Sequence, residues 1–294
     1  MTVAFIGVGN IGFPMAQQLV AKGHQLVIHD LVRERAEPLL AEGAQWASSP
    51  KEAARQADVV ITSLPGPAHV RAVMEGMDGV LAGLRSGATW CEMSTTLINQ
   101  LKRHAEEVAR RGGTALECPV TGGVKNAYKG KITIFVSGEK SVFEARRKVL
   151  GDIGEKLIFL GPLGTAMTAK LITNMLCFVH EQALGEGLML GKKAGLDLPA
   201  LLDAIQASYG ASFVAEADSP KILEGIYNTT FPIAHACKDM LLTTQLADKE
   251  SVPLPLAKFV QATMEKARER YGDDADCLSP IRMAEEDAGI PLRP

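Results

Sequence analysis

The chain has 294 residues, 47% of them hydrophobic, and 31 Lys plus Arg against 34 Asp plus Glu leave a net charge of −3. That is enough apolar material for two domains or one large one. It contains no Lys/Arg-rich block of the kind that grips a phosphate backbone and no charge-free run of about 18 apolar residues, so neither nucleic acid nor a membrane span is expected.

The first half alternates short β-rich runs with amphipathic segments. Strands are expected at Val3–Ile6, Gln25–Ile28, Val59–Thr62, Trp90–Met93, Leu116–Cys118, Ile132–Val136 and Leu157–Leu160. Between them lie helical patterns such as "FPMAQQLVAKG", closed by a glycine suited to a helix C-terminus. Strand–helix alternation implies a parallel sheet covered on both faces. The stretch near 114–160 reads instead as short strands joined by turns, antiparallel additions at the sheet edge. After "GPLG" at 161–164 the pattern turns helical, with apolar residues on more than one side from Thr165 to Lys193, the mark of a helix buried all round. Further helices are expected near Pro199–Ala207, Ala236–Asp248 and Leu254–Tyr271, with no returning strand. The boundary falls near residue 162, dividing the chain into 1–162 and 163–294.

The five cysteines (Cys91, Cys118, Cys177, Cys237, Cys277) form neither a CxxC pair nor a Cys/His cluster, so reduced thiols and no metal site are expected. "MTVAFIGVGN" lacks the basic start and cleavage site of a signal peptide, which points to a cytoplasmic protein.

"VAFIGVGNIG" sets a hydrophobic strand before Gly7-x-Gly9-x-x-Gly12 and an amphipathic helix. Gly7 permits the tight turn, Gly9 lets a pyrophosphate approach the backbone, and Gly12 lets helix and strand pack closely. The helix N-terminus then faces the phosphate charge. The next strand, "QLVIHD", ends in Asp30, placed to accept hydrogen bonds from ribose hydroxyls and to repel a 2′-phosphate. This favours NAD over NADP, although Arg33 and Arg35 stand close enough to offset it.

With these residues goes a wider pattern. "FIGVGNIGFPMA", "ECPVTGGVKNAYKGKITIFVSG", "GPLGTAMTAKLITN" and "FPIAHACKDM" together make the chain resemble the β-hydroxyacid dehydrogenase family. That family includes 3-hydroxyisobutyrate dehydrogenase, tartronate semialdehyde (2-hydroxy-3-oxopropionate) reductase and, more distantly, 6-phosphogluconate dehydrogenase. The resemblance implies an α/β fold: an N-terminal Rossmann doubly wound sheet and an all-helical C-terminal domain for substrate and oligomerisation, joined by a long interdomain helix. It implies cofactor contacts from Gly7, Val8, Gly9, Asn10, Ile11, Gly12, Asp30, Leu64, Pro65, Thr95 and Lys238. It implies substrate contacts from Thr121, Gly122, Gly123, Lys170, Asn174, Phe231 and Asp239, with Lys170 and Asn174 catalytic. The chain departs from the family pattern at Thr121 (commonly serine), Ala166 (commonly glycine) and Ile98 (commonly proline).

The implied reaction moves a hydride between the nicotinamide of NAD, or NADP, and a small β-hydroxyacid or its semialdehyde, with Lys170 handling the hydroxyl proton. A free lysine has a pKa near 10.4, so it must be buried beside the positive ring to act as a base. Two rivals share the scaffold: an imine reductase, which typically lacks that lysine, and a non-catalytic NAD-binding sensor. A homodimer or homotetramer is also implied.

Overall fold

Strand β1 (Thr2–Ile6) shows how the N-terminal half is built. Its side chains alternate between two apolar clusters, Val3 and Phe5 in one, Ala4 and Ile6 in the other, and all four are buried. A strand apolar on both faces needs cover on both faces. In the computed structural model, which describes residues 1–227 and 231–293, helices supply that cover. The chain divides into two compact units, Met1–Lys170 and Leu171–Pro294.

In the first unit β1 is followed by α1 (Gly12–Ala21), β2 (Gln25–His29), α2 (Glu37–Ala41), β3 (Gln45–Trp46), α3 (Pro50–Gln56) and β4 (Val59–Thr62). Then come α4 (Pro67–Glu75), α5 (Val80–Gly83), β5 (Thr89–Glu92), α6 (Ile98–Arg110) and β6 (Thr114–Glu117). The unit's last strands and helices are β7 (Val120–Thr121), α7 (Gly123–Tyr128), β8 (Thr133–Gly138), α8 (Lys140–Ile153) and β9 (Lys156–Phe159). The sheet order is β3-β2-β1-β4-β5-β6-β8-β7, with β9 paired to β8. The run from β3 to β6 is parallel, while β8 lies antiparallel to β6 and β7 and parallel to β9. Chain order reverses direction between β1 and β4, the switch point at which open α/β sheets bind ligands.

All seven expected strands form, within two residues at each end. The antiparallel edge is also present, but 114–160 is not a run of turns. It contains α7 and the 14-residue α8, whose buried stripe of Phe143, Val149, Leu150 and Ile153 is interleaved with charged residues.

The second unit is helical. Helix α9 (Thr165–Lys193) begins in the first unit and is followed by α10 (Leu198–Gln206), α11 (Phe213–Glu224), α12 (Ile233–Lys249), α13 (Pro255–Tyr271) and α14 (Ser279–Ala288). Its core gathers Phe178, Leu184 and Leu188 of α9 with Ile233, Ala236 and Met240 of α12 and Val260 and Met264 of α13. Asp197 and Ser212 cap α10 and α11 by accepting the Ala200 and Ala215 N–H groups at 3.0 Å each. Helix α9 is not buried all round, as its composition suggested. Ile172, Leu176 and Leu190 are exposed, while Phe178, Leu184 and Leu188, with the partly buried Met175, Cys177, Val179 and Met189, pack into the second unit's core.

Candidate active site

The glycine-rich turn leaves β1 at the switch point. Gly7 adopts φ +94°, in the left-handed region, and an added Cβ would lie 2.3 Å from the Ser63 carbonyl oxygen. A Cβ on Gly12 would lie 2.0 Å from the Gly7 carbonyl oxygen. The chain's own packing therefore demands both glycines. Gly9 differs, since a Cβ there would meet nothing within 4 Å. The loop surface at Gly9 is open, beside the N-terminus of α1, and so fits an approaching pyrophosphate.

Asp30 follows β2 and fixes this loop from the side. Its Oδ2 accepts the Val8 N–H at 2.8 Å and its Oδ1 accepts the Val32 N–H at 2.9 Å. An ionised carboxylate has about four acceptor sites, so the group can still meet ribose hydroxyls. Arg35 stands 3.8 Å from Asp30 with its own side chain 56% exposed, and the Arg33 guanidinium sits over the Trp46 ring at 5.3 Å.

Buried hydrogen bonds tie together the loops after β4 and β5. The Leu64 N–H donates to Ser94 Oγ at 2.8 Å, and the Ser94 N–H donates to Glu92 Oε1 at 2.6 Å. The Thr62 hydroxyl donates to Glu92 Oε2 at 2.9 Å, and the Trp90 indole N–H donates to Thr62 Oγ1 at 2.9 Å. Burial pushes the Glu92 carboxyl up to about 7, against the pull of its Ser94 and Thr62 partners. Among the expected residues, this arrangement brings Gly7, Val8, Asp30 and Leu64 to one end of the sheet. Pro65 follows Leu64, and Thr95 follows the buried Ser94. Ser94 and Thr95 form a pair that the sequence places at a strand end, whereas Glu92 carries no motif, although a carboxylate inside "TWCEM" is a legible anomaly.

The "TGG" segment closes β7 and opens α7. Gly122 is the N-cap of α7 at φ +119°, Gly123 follows at φ +75°, and Asn126 Nδ2 donates to the Gly122 carbonyl at 2.8 Å. Gly122 and Gly123 are exposed and Thr121 is half-buried. Successive glycine amides at a helix start, next to a hydroxyl, can cradle a carboxylate.

Lys170 and Asn174 lie four residues apart on α9, Lys170 as the last residue of the first unit. In the second unit Asn174 Nδ2 donates to Asp239 Oδ2 at 2.6 Å, and the Lys238 ammonium lies 2.9 Å from Asp239 Oδ1. A carboxylate only accepts, so Asp239 orients the Asn174 amide with its Oδ1 directed away, ready to accept a hydrogen bond. Phe231 stacks on Phe178 with ring centroids 6.2 Å apart. The second unit thus brings together Asn174, Lys238 and Asp239. A surface cavity of about 690 Å³ in that unit, lined in part by Tyr227, Glu285 and Arg293, includes none of the expected site residues. Its polar groups satisfy each other, with Glu285 accepting from the Tyr227 hydroxyl and from Arg293 at 2.7 Å each. Among the described residues no group of three or more His, Cys, Asp or Glu is arranged to hold a metal ion.

Known proteins share both halves. The profile of the NAD-binding domain of 6-phosphogluconate dehydrogenase matches residues 2–161. The profile for the NAD-binding region of NADP-dependent 3-hydroxyisobutyrate dehydrogenase matches residues 164–284. The 2-(hydroxymethyl)glutarate dehydrogenase of Eubacterium barkeri is 30% identical over 289 residues, covering 98% of this chain and 96% of that protein. The mitochondrial 3-hydroxyisobutyrate dehydrogenase of Rattus norvegicus is 31% identical over 261 residues, covering 86% and 78%. The solved 3-hydroxyisobutyrate dehydrogenase of Mycobacterium tuberculosis, with L-serine, superposes at a TM-score of 0.88 with 28% identity over 96% of this chain and 98% of that one. The glycine turn, the aspartate after β2 and these likenesses along the whole chain agree: the chain belongs to the NAD(P)-dependent β-hydroxyacid dehydrogenases of the 3-hydroxyisobutyrate dehydrogenase type.

Proposed function

We propose that the protein catalyses reversible hydride transfer between a nicotinamide dinucleotide and a small β-hydroxyacid of the 3-hydroxyisobutyrate kind, or the corresponding semialdehyde. The observation that carries this reading is the Lys170–Asn174 pair, one helical turn apart on α9 in a chain of this family. Bound NAD(P) supplies the hydride acceptor or donor. Every remaining task falls to side chains of this chain.

Residues 1–162 hold the dinucleotide: Gly7, Val8, Gly9, Asn10, Ile11 and Gly12 along its phosphates, Asp30 at the ribose, and Leu64, Pro65 and Thr95 at the strand ends. The fixed carboxylate of Asp30, held by two backbone amides, favours NAD over a 2′-phosphorylated cofactor. Residues 163–294 form the substrate and assembly domain. Thr121, Gly122 and Gly123 bind the substrate carboxylate. In oxidation the Lys170 Nζ takes the hydroxyl proton, and in reduction it returns that proton to the developing alkoxide. Asn174, oriented by Asp239, accepts from the substrate and fixes the reacting carbon. Lys238 flanks the nicotinamide and Phe231 lines the substrate's apolar side. A homodimer or homotetramer is part of this reading, in keeping with the exposed Ile172, Leu176 and Leu190.

The test is a panel of β-hydroxyacids and semialdehydes, each assayed with NAD and with NADP by the absorbance of the reduced nicotinamide. Turnover of at least one member is expected, faster with NAD. Tight dinucleotide binding without turnover of any member would favour a sensor and refute the enzymatic reading.

A further inference from the structure

Strand β6 ends in a carboxylate that has no part in the chemistry above. Glu117 is fully buried, and its Oε2 collects donors from a distant piece of chain. The Gly164 N–H donates to it at 2.9 Å and the Ala166 N–H at 3.1 Å, and the Ser137 hydroxyl of β8 makes a short third bond. The Met167 N–H adds to the same environment. These amides belong to the start of α9, the helix that bears Lys170.

The first amides of a helix have no partner within it and need one from outside. The nearby threonines do not serve. The Thr165 hydroxyl donates to the Pro162 carbonyl at 2.8 Å, and the Thr168 hydroxyl donates to the Gly164 carbonyl at 2.7 Å, so neither acts as acceptor in these bonds. The acceptor comes from a residue 47 positions upstream of Gly164. A carboxylate at this end of a 29-residue helix also meets the positive end of its dipole. Burial raises the Glu117 carboxyl, while Ser137 and the α9 amides pull it back toward the charged form.

We propose that Glu117 is a positioning residue for Lys170, setting the rotation and axial position of α9 so that the amine meets the substrate oxygen. Lys170 lies four residues beyond Ala166, on the same side of the helix one turn further on. A slip of one residue would move it along the axis by about 1.5 Å and swing it round by about 100°. A misplacement of about 1 Å can cost a reaction about 100-fold. Ala166, which stands where the family commonly has glycine, remains compatible with this anchor, since its amide donates and its methyl is buried. The inference rests on the reading of Lys170 as the proton carrier.

The experiment is a cycle of Glu117→Gln, Lys170→Ala and the double variant in the full-length enzyme. Turnover, substrate KM, NADH dissociation constant and melting temperature are measured for each. Glu117→Gln should lower kcat by about 10 to 100-fold and leave NADH affinity within about two-fold, because the hydrogen bonds of Glu117 go to Ser137 and the start of α9 rather than to the glycine-rich turn. Glu117→Asp, which restores the charge, should recover part of the loss. In the Lys170→Ala background the Gln substitution should add no further slowing, since a displaced helix matters little once the amine is gone. A folded Glu117→Gln enzyme with wild-type kcat overturns the proposal. So does a Gln substitution that slows Lys170→Ala by the same factor as it slows the parent. If Lys170→Ala itself turns over normally, the assignment of Lys170 is the one that fails, whereas a crippled Lys170→Ala beside a normal Glu117→Gln refutes this inference alone. Should Glu117→Gln not fold, Ser137→Ala loosens the same anchor. A smaller loss of kcat at constant NADH affinity is then expected, and unchanged kcat would refute the proposal.

Discussion

Gly7 and Gly9 belong to one motif but are required for different reasons, and alanine at each separates the two. Gly7→Ala places a methyl carbon 2.3 Å from the Ser63 carbonyl oxygen, on a residue at φ +94°. The left-handed backbone costs about 1–2 kcal/mol for an L-residue, and the overpacking about 1–3 kcal/mol more. At about 2–4 °C per kcal/mol for a domain of this size, the melting temperature should fall by about 5–20 °C. Gly9→Ala meets nothing within 4 Å, and Gly9 is not among the glycines of positive φ. Its melting temperature should stay the same or rise slightly, since alanine restricts the unfolded chain by about 0.4–1 kcal/mol. The dissociation constant for NADH, read by fluorescence titration, should nevertheless rise at least about 10-fold, because the new methyl occupies the approach of the pyrophosphate. A Gly9→Ala protein that binds NADH as tightly as wild type would refute the placement of the dinucleotide on this loop.

The buried Glu92 makes stability depend on pH. Its carboxyl has an ordinary value of 4.5 and sits at about 7 in the fold, so the folded state holds the proton more tightly than the unfolded one. Stability therefore falls as pH rises from about 4.5 through about 7, by about 3 kcal/mol in all, and levels off above. Glu92→Gln cannot ionise, and about 2.5 kcal/mol of the change falls between pH 5 and pH 8, so its melting temperature relative to wild type should climb by about 5–10 °C over that range, and an unchanged difference would contradict the argument. Asp30→Ala removes the carboxylate proposed to meet the ribose and frees the Val8 and Val32 amides. The ratio of kcat/KM for NAD over NADP should drop at least about 10-fold. An unmoved ratio would show that Asp30 does not select the cofactor.

Much of the first unit is legible from residue type and spacing, because its constraints are local. Gly12 is fixed by its close approach to the Gly7 carbonyl within one turn, Gly7 by the left-handed φ of +94° that the turn requires, and Asp30 follows from the next strand. The alternation of β1 between two apolar clusters is likewise plain in the sequence. What escapes notice is set by distant partners. The two-residue β3 exists only through its pairing with Val27 and Ile28. Helix α11 carries an internal Pro220 and an exposed Phe213, so its pattern hides the helix that Ser212 caps. Glu117 looks like an ordinary polar residue in a strand until the start of α9 is brought against it. The hydrogen bond between Asn174 and Asp239 spans 65 residues, and no local spacing reveals it.

The most direct measurement compares stopped-flow hydride transfer in wild type and Lys170→Ala, each saturated with dinucleotide and with the best substrate of the panel. The account predicts a transfer rate lower by about 100 to 10,000-fold, with the NADH dissociation constant unchanged. A variant that transfers hydride at close to the parental rate would contradict it.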